Sequence, residues 1–485
     1  MAGQDTSLVK RGRTIRDSVH GDVELTVLES AIVDTRPFQR LRYIRQNGLL
    51  HFVFPGAVHT RFAHSIGTLH IAGRVERQLL AGLRSAAKNS RQREALDYVA
   101  AVFRVAALLH DIGHCAFSHS IEHVRFKKEP LLGRLGMFCS TWGADSLLGQ
   151  LEQAEEPGGS LRENPVLHEH ISLVLVGAVF EDEAVRAVCH HADEFAQDVR
   201  ALIHGRLPTS GKWNVEVEEL KGLVNRLHGP CTSELNRDLV EILHRLISGT
   251  IDVDRLDYLM RDSVHCGVPY GRCDTGILVG NLLLGEMGGK LDLLLHRKAA
   301  HALADMLWSR YQLFVQVYNH KTNCGFNAAL GPALSQALEQ KHIDQPDTRE
   351  SLMYFTDDYV MGSLAHACAG GVRDETKYAR LLIHRRPPRH LGDKVLLPGE
   401  HEDDSLAELA RDHGVHVGDD EILTYSAKSR FVKPDGLPTL VHHERGTGRR
   451  VLTNFGEVST VTSDEKFQAT DYLVVHLFRD TTSAK

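Results

Sequence analysis

The stretch LLHDIGHCAFSHS, residues 108–120, ends a long apolar run with a histidine, an aspartate and two further histidines. The residues before it predict a helix over 93–113 that is apolar on nearly every face, which indicates a buried position at the centre of the fold. An unpaired carboxylate is costly to bury, and a bound cation removes that cost. His110 and Asp111 are therefore candidate metal ligands. A hydrogen-bonded buried pair is the alternative explanation of this dipeptide.

A second histidine-rich stretch, HTRFAHSIGTLH, begins at His59. Apolar residues at 62, 66, 69, 75, 79 and 83 have near-helical spacing and predict a helix over 62–83. Arg61 and His64 are three residues apart, on one side of the start of this helix, whereas His70 is poorly placed to share that face. We therefore assign candidate roles to Arg61 and His64, and none to His59 or His70.

A third stretch, GTIDVDRLDYLMRD at residues 249–262, supplies further carboxylates. If a helix begins at Val253, four polar residues share one face. They are Asp254, Tyr258, Arg261 and Asp262. A polar face is also typical of a helix exposed to solvent. Beside the candidate ligands of the first two stretches, however, it provides the carboxylate that a metal site still needs.

Composition indicates a soluble globular chain. Hydrophobic residues make up 42% and charged residues 25% of the 485 residues, and no segment approaches the roughly 18 apolar residues of a membrane span. The N-terminal residues carry no secretory or lipidation signal, so we expect a cytoplasmic protein without a membrane association. The eight cysteines are scattered and contain no Cys-x-x-Cys pair, which argues against disulfides and thiolate zinc sites. The net charge of -7 disfavours nucleic acid as a partner without excluding a local basic patch.

The pattern along the chain predicts a mainly α fold with two parts. Residues 1–370 form a helical core preceded by a strand-turn segment, and residues 371–485 form a smaller α+β lobe. Within the core we expect one helix over 29–48 and another that begins near His168. The predicted strands of the lobe are KYARLLIHR at 377–385, EILTYSAK at 421–428, TLVHHE at 439–444 and YLVVHLF at 472–478, with one helix at 404–414.

Five segments in order resemble the HD phosphohydrolase superfamily. They are DTRPFQRLRYIRQNG (34–48), FPGAVHTRFAHSIG (54–67), HDIGHCAFSH (110–119), HEHIS (168–172) and IDVDRLDYLMRD (251–262). More narrowly, the chain is similar to the deoxynucleoside triphosphate (dNTP) triphosphohydrolases, the family of bacterial dGTP hydrolases and the mammalian SAM- and HD-domain dNTPase. The resemblance covers residues 13–325 well. It implies an HD-domain helical core and hydrolysis of a dNTP to a deoxynucleoside and inorganic triphosphate.

The resemblance also implies roles for single residues. The metal ligands are His64, His110, Asp111 and Asp254. They would bind iron, manganese, zinc or nickel, with magnesium accompanying the triphosphate. The acid–base group is His114, His119, Glu122 and His168, where Glu122 stands in place of the aspartate of some members. We assign His119 to protonation of the departing 5′ oxygen, and His168 and Glu122 to orientation of catalytic groups or water. A helix that continues beyond His110 would bring the group to one pocket.

The substrate contacts implied by the resemblance fall into two sets. Arg61, Arg255 and Arg310 would meet the triphosphate, although each is also explained as a solvated surface arginine. Gln46, Tyr258 and Asp262 would approach the sugar 3′-hydroxyl, and Tyr318 would crowd the 2′ position. Asn47 stands where the mammalian enzyme has an apolar residue, so the exclusion of ribose is left open.

Assembly and regulation follow from the resemblance only in outline. Several members are tetramers or hexamers that bind nucleotide activators between subunits, so we expect a homo-oligomer with a possible nucleotide effector. Asp34, Arg42 and Arg13 match effector-contact positions, and an ordinary surface ion pair between Asp34 and Arg42 is the alternative. His296 and Ala302 match a second effector site poorly. Two other functions stay open: another HD nucleotide phosphohydrolase or phosphodiesterase, and a catalytically silent nucleotide or nucleic-acid binder.

Overall fold

Helices account for most of the described chain, so the prediction of a mainly α fold with a smaller strand-containing lobe is confirmed. A computed structural model describes residues 8–122, 124–126, 129–152, 166–229, 234–370, 374–396, 402–412, 422–428, 437–443, 450–459 and 471–477. The helices are α1 (Val27–Asp34), α2 (Arg36–Gln39), α3 (Arg61–Ala86), α4 (Ser90–Leu109), α5 (Leu135–Thr141), α6 (Asp145–Glu152), α7 (His168–Glu181), α8 (Glu183–Val188), α9 (Ala192–Ile203), α10 (Gly211–His228), α11 (Leu235–Ser248), α12 (Val253–Cys266), α13 (Thr275–Gly280), α14 (Ala300–Leu313), α15 (Lys321–Glu339), α16 (Arg349–Tyr354), α17 (Asp357–Gly370), α18 (Lys377–Ile383), α19 (Glu402–Asp412) and α20 (Phe455–Val458). The strands are β1 (Arg11–Asp17), β2 (Gly21–Thr26), β3 (Arg125–Phe126), β4 (Glu129–Pro130), β5 (Leu282–Met287), β6 (Lys290–His296), β7 (Arg389–Leu396), β8 (Ile422–Lys428), β9 (Thr439–His443), β10 (Arg450–Thr453) and β11 (Asp471–Leu477).

Helix α4 lies at the centre of the core, as its apolar surface predicts. It packs against α3, α9 and α10, and its apolar residues from Val99 to Leu109 are all buried. Helix α3 in turn packs against both α4 and α12. This arrangement brings the start of α3, the end of α4 and the start of α12 to one region, where the three histidine- and aspartate-rich stretches lie.

Side-chain caps determine where the helices around this region begin. Thr60 Oγ1 accepts the backbone N–H of Ala63 at the start of α3, and Asp252 Oδ1 accepts the backbone N–H of Arg255 at 2.7 Å at the start of α12. A cap of this kind satisfies a backbone donor that the helix leaves unpaired. The predicted starts near residue 62, at Val253 and near His168 therefore agree with the structure.

The predicted single helix over 29–48 is wrong. The chain forms α1 and α2 and then a 3₁₀ turn at Arg40–Tyr43. Thr35 between the two helices is extended, with ψ 147°. Pro37 explains the break, because it has no N–H to donate to the carbonyl of Val33 and its ring would clash with that carbonyl.

In the lobe after residue 370, one element that we predict as a strand is a helix in the structure. Most of the predicted strand at 377–385 forms the helix α18 (Lys377–Ile383), because Tyr378, Ala379, Leu381 and Leu382 have helical spacing and bury one face against α15 and α17. The exposed basic residues that follow are consistent with a solvated linker. The other predicted strands are present as β8, β9 and β11, and β7 and β10 add to them.

Two larger sheets involve the lobe, and one of them also contains strands of the core. One three-stranded antiparallel sheet has the order β7-β11-β8. A four-stranded sheet has the order β10-β9-β6-β5, in which β9 pairs in parallel with β6. The hairpin β5–β6 was not predicted, although Gly288 and Gly289 form a two-residue turn with positive φ, which is typical of hairpins. The domain boundary at residue 370 stays a prediction.

Among the described residues, no helix combines the length and the apolar character needed to span a membrane.

Candidate metal centre and acid–base site

The four predicted metal ligands meet where three helices converge. His64 lies in the first turn of α3, Asp254 lies in the first turn of α12, and His110 is the C-cap of α4 with Asp111 next to it. His64 Nε2 is 3.0 Å from Asp254 Oδ1 and 3.4 Å from Asp111 Oδ2. His110 Nε2 is 3.4 Å from Asp111 Oδ1 and 3.8 Å from Asp254 Oδ1. The structure thus brings together all four residues, whose role as ligands stays a prediction.

The hydrogen bonds of the two imidazoles leave a place for a cation between them. His110 Nδ1 faces the Ala107 carbonyl oxygen at 2.8 Å, and His64 Nδ1 faces Asp257 Oδ2 at 2.7 Å, so both Nδ1 atoms act as donors. Both Nε2 atoms are buried and have no hydrogen-bond partner among the described residues. Their lone pairs face carboxylate oxygens, a repulsive arrangement that a cation relieves. Imidazole nitrogen and carboxylate oxygen suit borderline divalent ions, so these residues fit a transition metal.

Positive charge is needed here whichever group supplies it. Burial lowers the pKa of His64, but Asp111, Asp254 and Asp257 outweigh burial and hold the pKa well above its ordinary value. Burial opposes ionisation of Asp111, yet Arg61, with His110 and another neighbouring histidine, holds the pKa of Asp111 well below its usual range. The site is therefore built around ionised carboxylates.

Arg61 lies directly against the candidate metal centre. Its Nη1 contacts Asp111 Oδ2, and its Nε donates to Ser118 Oγ at 3.0 Å. The side chain is only 4% exposed, which rules out the alternative of a solvated surface arginine. A buried guanidinium in this position is available both to neutralise Asp111 and to meet a phosphate oxygen.

The predicted acid–base residues form a second cluster adjoining the first. Glu122 Oε1 accepts from His168 Nδ1 at 2.5 Å and Glu122 Oε2 accepts from His119 Nδ1 at 3.2 Å. The rings of His114 and His168 stack with centroids 3.8 Å apart. His114 Nε2 lies 3.3 Å from Asp111 Oδ1, and this contact joins the two clusters.

Within the acid–base cluster, the surroundings shift the pKa values of His114 and His168 in opposite directions. Burial, with Arg61 and His168 nearby, lowers the pKa of His114 well below its ordinary value, so this ring is neutral. Burial also opposes protonation of His168, but Glu122 outweighs it and raises the pKa. Burial opposes the ionisation of Glu122 as well, yet His119 and His168 hold its pKa below the usual range. The pKa values of the two stacked imidazoles are therefore shifted in opposite directions.

The route by which the chain forms this cluster differs from our prediction. The predicted helix over 93–113 ends at Leu109 and does not continue; a turn and a short 3₁₀ segment at Ser118–Ile121 follow instead. Phe117 and Ser118 have positive φ values of 61° and 53°. The backbone N–H of Phe117 donates to Asp357 Oδ1 at 2.8 Å, so a buried carboxylate from α17 stabilises this unusual conformation. Asp357 is a functional candidate that the sequence analysis missed.

Gly113 allows α7 to approach the turn that holds the metal ligands. A Cβ at this position would lie 2.0 Å from the carbonyl oxygen of His168 and 2.3 Å from the backbone N of Ser172. Ser172 Oγ accepts the N–H of Gly113 at 2.9 Å and donates to the carbonyl of His110 at 2.8 Å. The clashing atoms are backbone atoms, which cannot move aside alone.

We expect Gly113→Ala to lower the free energy of unfolding by about 1–3 kcal/mol, since overpacking of this kind forces backbone shifts. It should also lower activity, because α7 carries His168. Urea denaturation and steady-state kinetics measure both effects. Gly82→Ala is the matched control: Gly82 is in an exposed part of α3 where an added Cβ would have no atom within 4 Å, and we expect it to leave activity unchanged. Equal stabilities of the two variants would contradict the packing argument.

Two more predicted substrate residues, Arg255 and Arg310, lie near the start of α12. Arg255 and Arg310 are 9% and 8% exposed, so the surface-arginine alternative does not hold for them. Burial lowers the pKa of Arg310, and Tyr258 and Arg255 lie near enough to influence it. Arg255 Nη1 lies 3.1 Å from Asp252. Two buried guanidiniums beside a phenol form a cluster of donors suited to an anion.

The predicted sugar contacts are organised around Asp262. Its Oδ2 accepts from the Tyr318 hydroxyl at 2.5 Å, and its Oδ1 accepts from His59 Nε2 at 2.6 Å. The backbone N–H of Gln46 donates to the carbonyl of His59 at 3.0 Å. His59, to which the sequence assigned no role, therefore holds one of the predicted substrate residues. His70 stacks on His20 instead, outside both clusters.

The candidate effector residues do not form the ion pair that the sequence suggested. Arg13 binds Asp34 with Nη1–Oδ2 at 2.9 Å and Nη2–Oδ1 at 2.8 Å. Arg42 instead donates to Gln39 and lies 3.6 Å from the centre of the Phe62 ring. The alternative of a surface pair between Asp34 and Arg42 is thus wrong, and the effector role of these residues stays a prediction.

The sequence analysis also missed a buried network of ion pairs behind His64. Asp257 and Arg261 on α12 bind each other and, through Arg261, Asp17 at the end of β1. The signal was present in the sequence, since Asp254, Asp257 and Arg261 recur at three- and four-residue spacing along one helix. The sequence analysis places Arg261 on a polar face and assigns no role to Asp257.

Residues 61–227 match the family model described as HD domain. The resemblance to HD phosphohydrolases is therefore confirmed for this part of the chain. The matched residues include His64, His110 and Asp111, whereas Asp254 lies beyond them.

Curated relatives extend the similarity over most of the chain. A deoxynucleoside triphosphate triphosphohydrolase SAMHD1 homolog of Dictyostelium discoideum is 24% identical over 98% of this chain and 77% of its own length. The SAMHD1 triphosphohydrolase of Gallus gallus is 29% identical over 82% of this chain, and an uncharacterized protein of Methanocaldococcus jannaschii is 27% identical over 72%. The chain spans only 58% and 56% of these last two relatives.

A solved structure has the same fold. A hypothetical protein from Aquifex aeolicus superposes with a TM-score of 0.62 and 20% sequence identity, covering 96% of each chain. At this identity the likeness concerns the fold alone.

Proposed function

We propose that this chain hydrolyses deoxynucleoside triphosphates to a deoxynucleoside and inorganic triphosphate. The observation that carries the proposal is the junction of the two clusters at Asp111 and His114, whose Oδ1 and Nε2 atoms are 3.3 Å apart. A metal centre and an acid–base group this close act on the same phosphate. The triphosphohydrolase activity for which the Dictyostelium and chicken relatives are named supports the substrate class.

The candidate ligands would hold one divalent transition ion. His64, His110, Asp111 and Asp254 provide the nitrogen and oxygen donors that iron, manganese, zinc and nickel accept. Such an ion supplies a Lewis acid for a phosphate oxygen. Magnesium prefers oxygen ligands and would accompany the triphosphate.

The acid–base residues have different roles in proton transfer and in the orientation of water. Water adds to the α-phosphorus, the bond from that phosphorus to the 5′ oxygen breaks, and the oxygen leaves with a proton. His119 is the donor, because its Nδ1 is held by Glu122 and its side chain is 64% exposed and therefore accessible to a substrate. His114 and His168 orient the attacking water. General acid–base help of this kind is worth about 10²- to 10⁴-fold.

The remaining residues hold the nucleotide. Arg61, Arg255 and Arg310 bind the triphosphate, since a planar guanidinium matches phosphate oxygens. Asp262 accepts the 3′-hydroxyl, with Tyr258 and Gln46 beside it. The hydrogen bond from the Tyr318 hydroxyl to Asp262 fixes the tyrosine ring, which sterically excludes a 2′-hydroxyl.

The test is to incubate the full chain with each dNTP and each NTP in the presence of manganese and magnesium, and to separate the products by ion-exchange chromatography. We expect deoxynucleoside and triphosphate from dNTPs and much less product from NTPs. Monophosphate with pyrophosphate would indicate another HD phosphohydrolase. A protein that binds metal and nucleotide without forming product would be a silent binder. Comparable turnover of NTPs would show that Asn47 leaves room for the 2′-hydroxyl.

The homo-oligomer, the nucleotide effector and the cytoplasmic location stay predictions.

A further inference from the structure

The carboxylate of Asp257 lies behind His64, on the side away from the metal centre. Asp257 is fully buried, and each of its oxygens accepts hydrogen bonds. Oδ2 accepts from His64 Nδ1 at 2.7 Å and from Arg261 Nε at 2.8 Å. Oδ1 accepts from His20 Nε2 at 2.6 Å and from Arg261 Nη2 at 2.9 Å. A carboxylate with four donors in place has no freedom to rotate.

Arg261 is itself held from the opposite side. Its Nη1 donates to Asp17 Oδ2 at 2.9 Å and its Nη2 donates to Asp17 Oδ1 at 3.2 Å. The Arg261 side chain has no exposed surface. Because Arg261 cannot act as an acceptor and is permanently charged, Asp257 beside it is an acceptor towards His64. His64 must then donate from Nδ1 and present the lone pair of Nε2 to the metal centre.

Three separate segments of the chain form the hydrogen-bond network around Asp257. Asp17 and His20 come from the β1–β2 hairpin, which precedes the HD domain match, while Asp257 and Arg261 come from α12. Gly67, one turn after His64 on α3, permits the close approach. A Cβ there would lie 1.9 Å from Asp257 Oδ1 and 2.4 Å from Arg261 Nη2.

We propose that Asp257 is a positioning residue that fixes the tautomer and the ring orientation of His64 for metal binding, and that His20 and Arg261 hold Asp257 for this purpose. The inference rests on the proposed function only through the role of His64 as a ligand. Carboxylates that accept the second N–H of a ligating histidine commonly contribute about 10- to 100-fold to metal affinity.

The test is the affinity of the metal-free full chain for Co²⁺ alone, measured by calorimetry and by the visible absorption of the bound ion. We expect Asp257→Asn to weaken binding by about 10- to 100-fold, since the amide removes the charge and is able to turn an N–H towards His64. Asp198→Asn is the matched control: Asp198 is also fully buried and accepts from Tyr98 at 2.6 Å, but it belongs to α9 and faces the N-terminal half of α4, away from the metal centre. We expect wild-type affinity from it.

The second measurement needs no variant and guards against a failure of Asp257→Asn to fold. Proton NMR of the Co²⁺-loaded wild type should show two strongly shifted exchangeable N–H signals, one for each histidine bound through Nε2, and the signal of buried His64 should exchange slowly. A single such signal would overturn the proposal, as would unchanged Co²⁺ affinity in folded Asp257→Asn.

The same data separate this inference from the proposed function. Wild-type protein that binds no Co²⁺ would contradict the role of His64 and both proposals with it. Protein that binds Co²⁺ in the expected way but releases pyrophosphate from dNTPs would contradict only the proposed reaction.

Discussion

Replacing His110 and Asp111 together with alanine is expected to lower kcat for dNTP hydrolysis by about 10³-fold or more. A Lewis acid contributes several kcal/mol to the transition state, and every 1.36 kcal/mol is about tenfold in rate. The two substitutions remove half of the candidate ligands and the carboxylate that joins the metal centre to the acid–base cluster. Elemental analysis of the purified variant should find the transition metal lost along with the activity.

The matched control is His301→Ala with Asp305→Ala. Both residues are exposed on α14, so the same pair of residue types is removed away from the site, and we expect wild-type rates. Because the alanine pair leaves buried Arg61 without Asp111, the single variant His110→Gln should be measured beside it. Circular dichroism reports the folding of all three. Full activity in the folded double variant would exclude the metal assignment.

The second large effect concerns stability. Arg261→Met is expected to lower the free energy of unfolding by about 3–5 kcal/mol, the usual result of removing one partner of a buried ion pair. Arg261 neutralises both Asp257, which is fully buried, and Asp17, which is 8% exposed. Without it two buried carboxylates lose the guanidinium that neutralises them, although their other hydrogen-bond donors are kept. Urea denaturation of the metal-free protein measures the change without a contribution from metal binding.

An exposed ion pair provides the comparison. Arg349 lies 3.1 Å from Glu181 with both side chains largely in solvent, and Arg349→Met should cost between 0 and about 1 kcal/mol. If Arg261→Met costs no more than Arg349→Met, the buried network does not stabilise the fold as we describe.

Local pattern predicted the helices that carry the ligands. Apolar spacing placed a helix over 62–83, and the observed α3 spans Arg61–Ala86. The start of α12 at Val253 was also predicted. A helix that buries one face repeats its apolar residues every 3.6 positions, so this information is present in a short segment. The same argument applied to 377–385 would have identified α18, where our assignment of a strand was wrong.

The candidate ligands could be named from the sequence because they stand beside buried helices in recognisable segments. The distances among them could not, since His64 and Asp254 come from helices that pack only in the folded chain. The hairpin β5–β6 illustrates another limit of local pattern: its place in the sheet depends on parallel pairing with β9, about 150 residues later.

The helical character of the core and the identity of the candidate metal ligands are thus properties of the sequence, because helical periodicity and short motifs are local. Tertiary structure decided how the chain beyond His110 turns back to form the acid–base cluster. Phe117 and Ser118 adopt left-handed conformations that no local preference favours, and Asp357, far along the chain, stabilises them. The tertiary structure also determined the orientation of the His64 ring, because Asp257 and its partners come from segments distant in sequence.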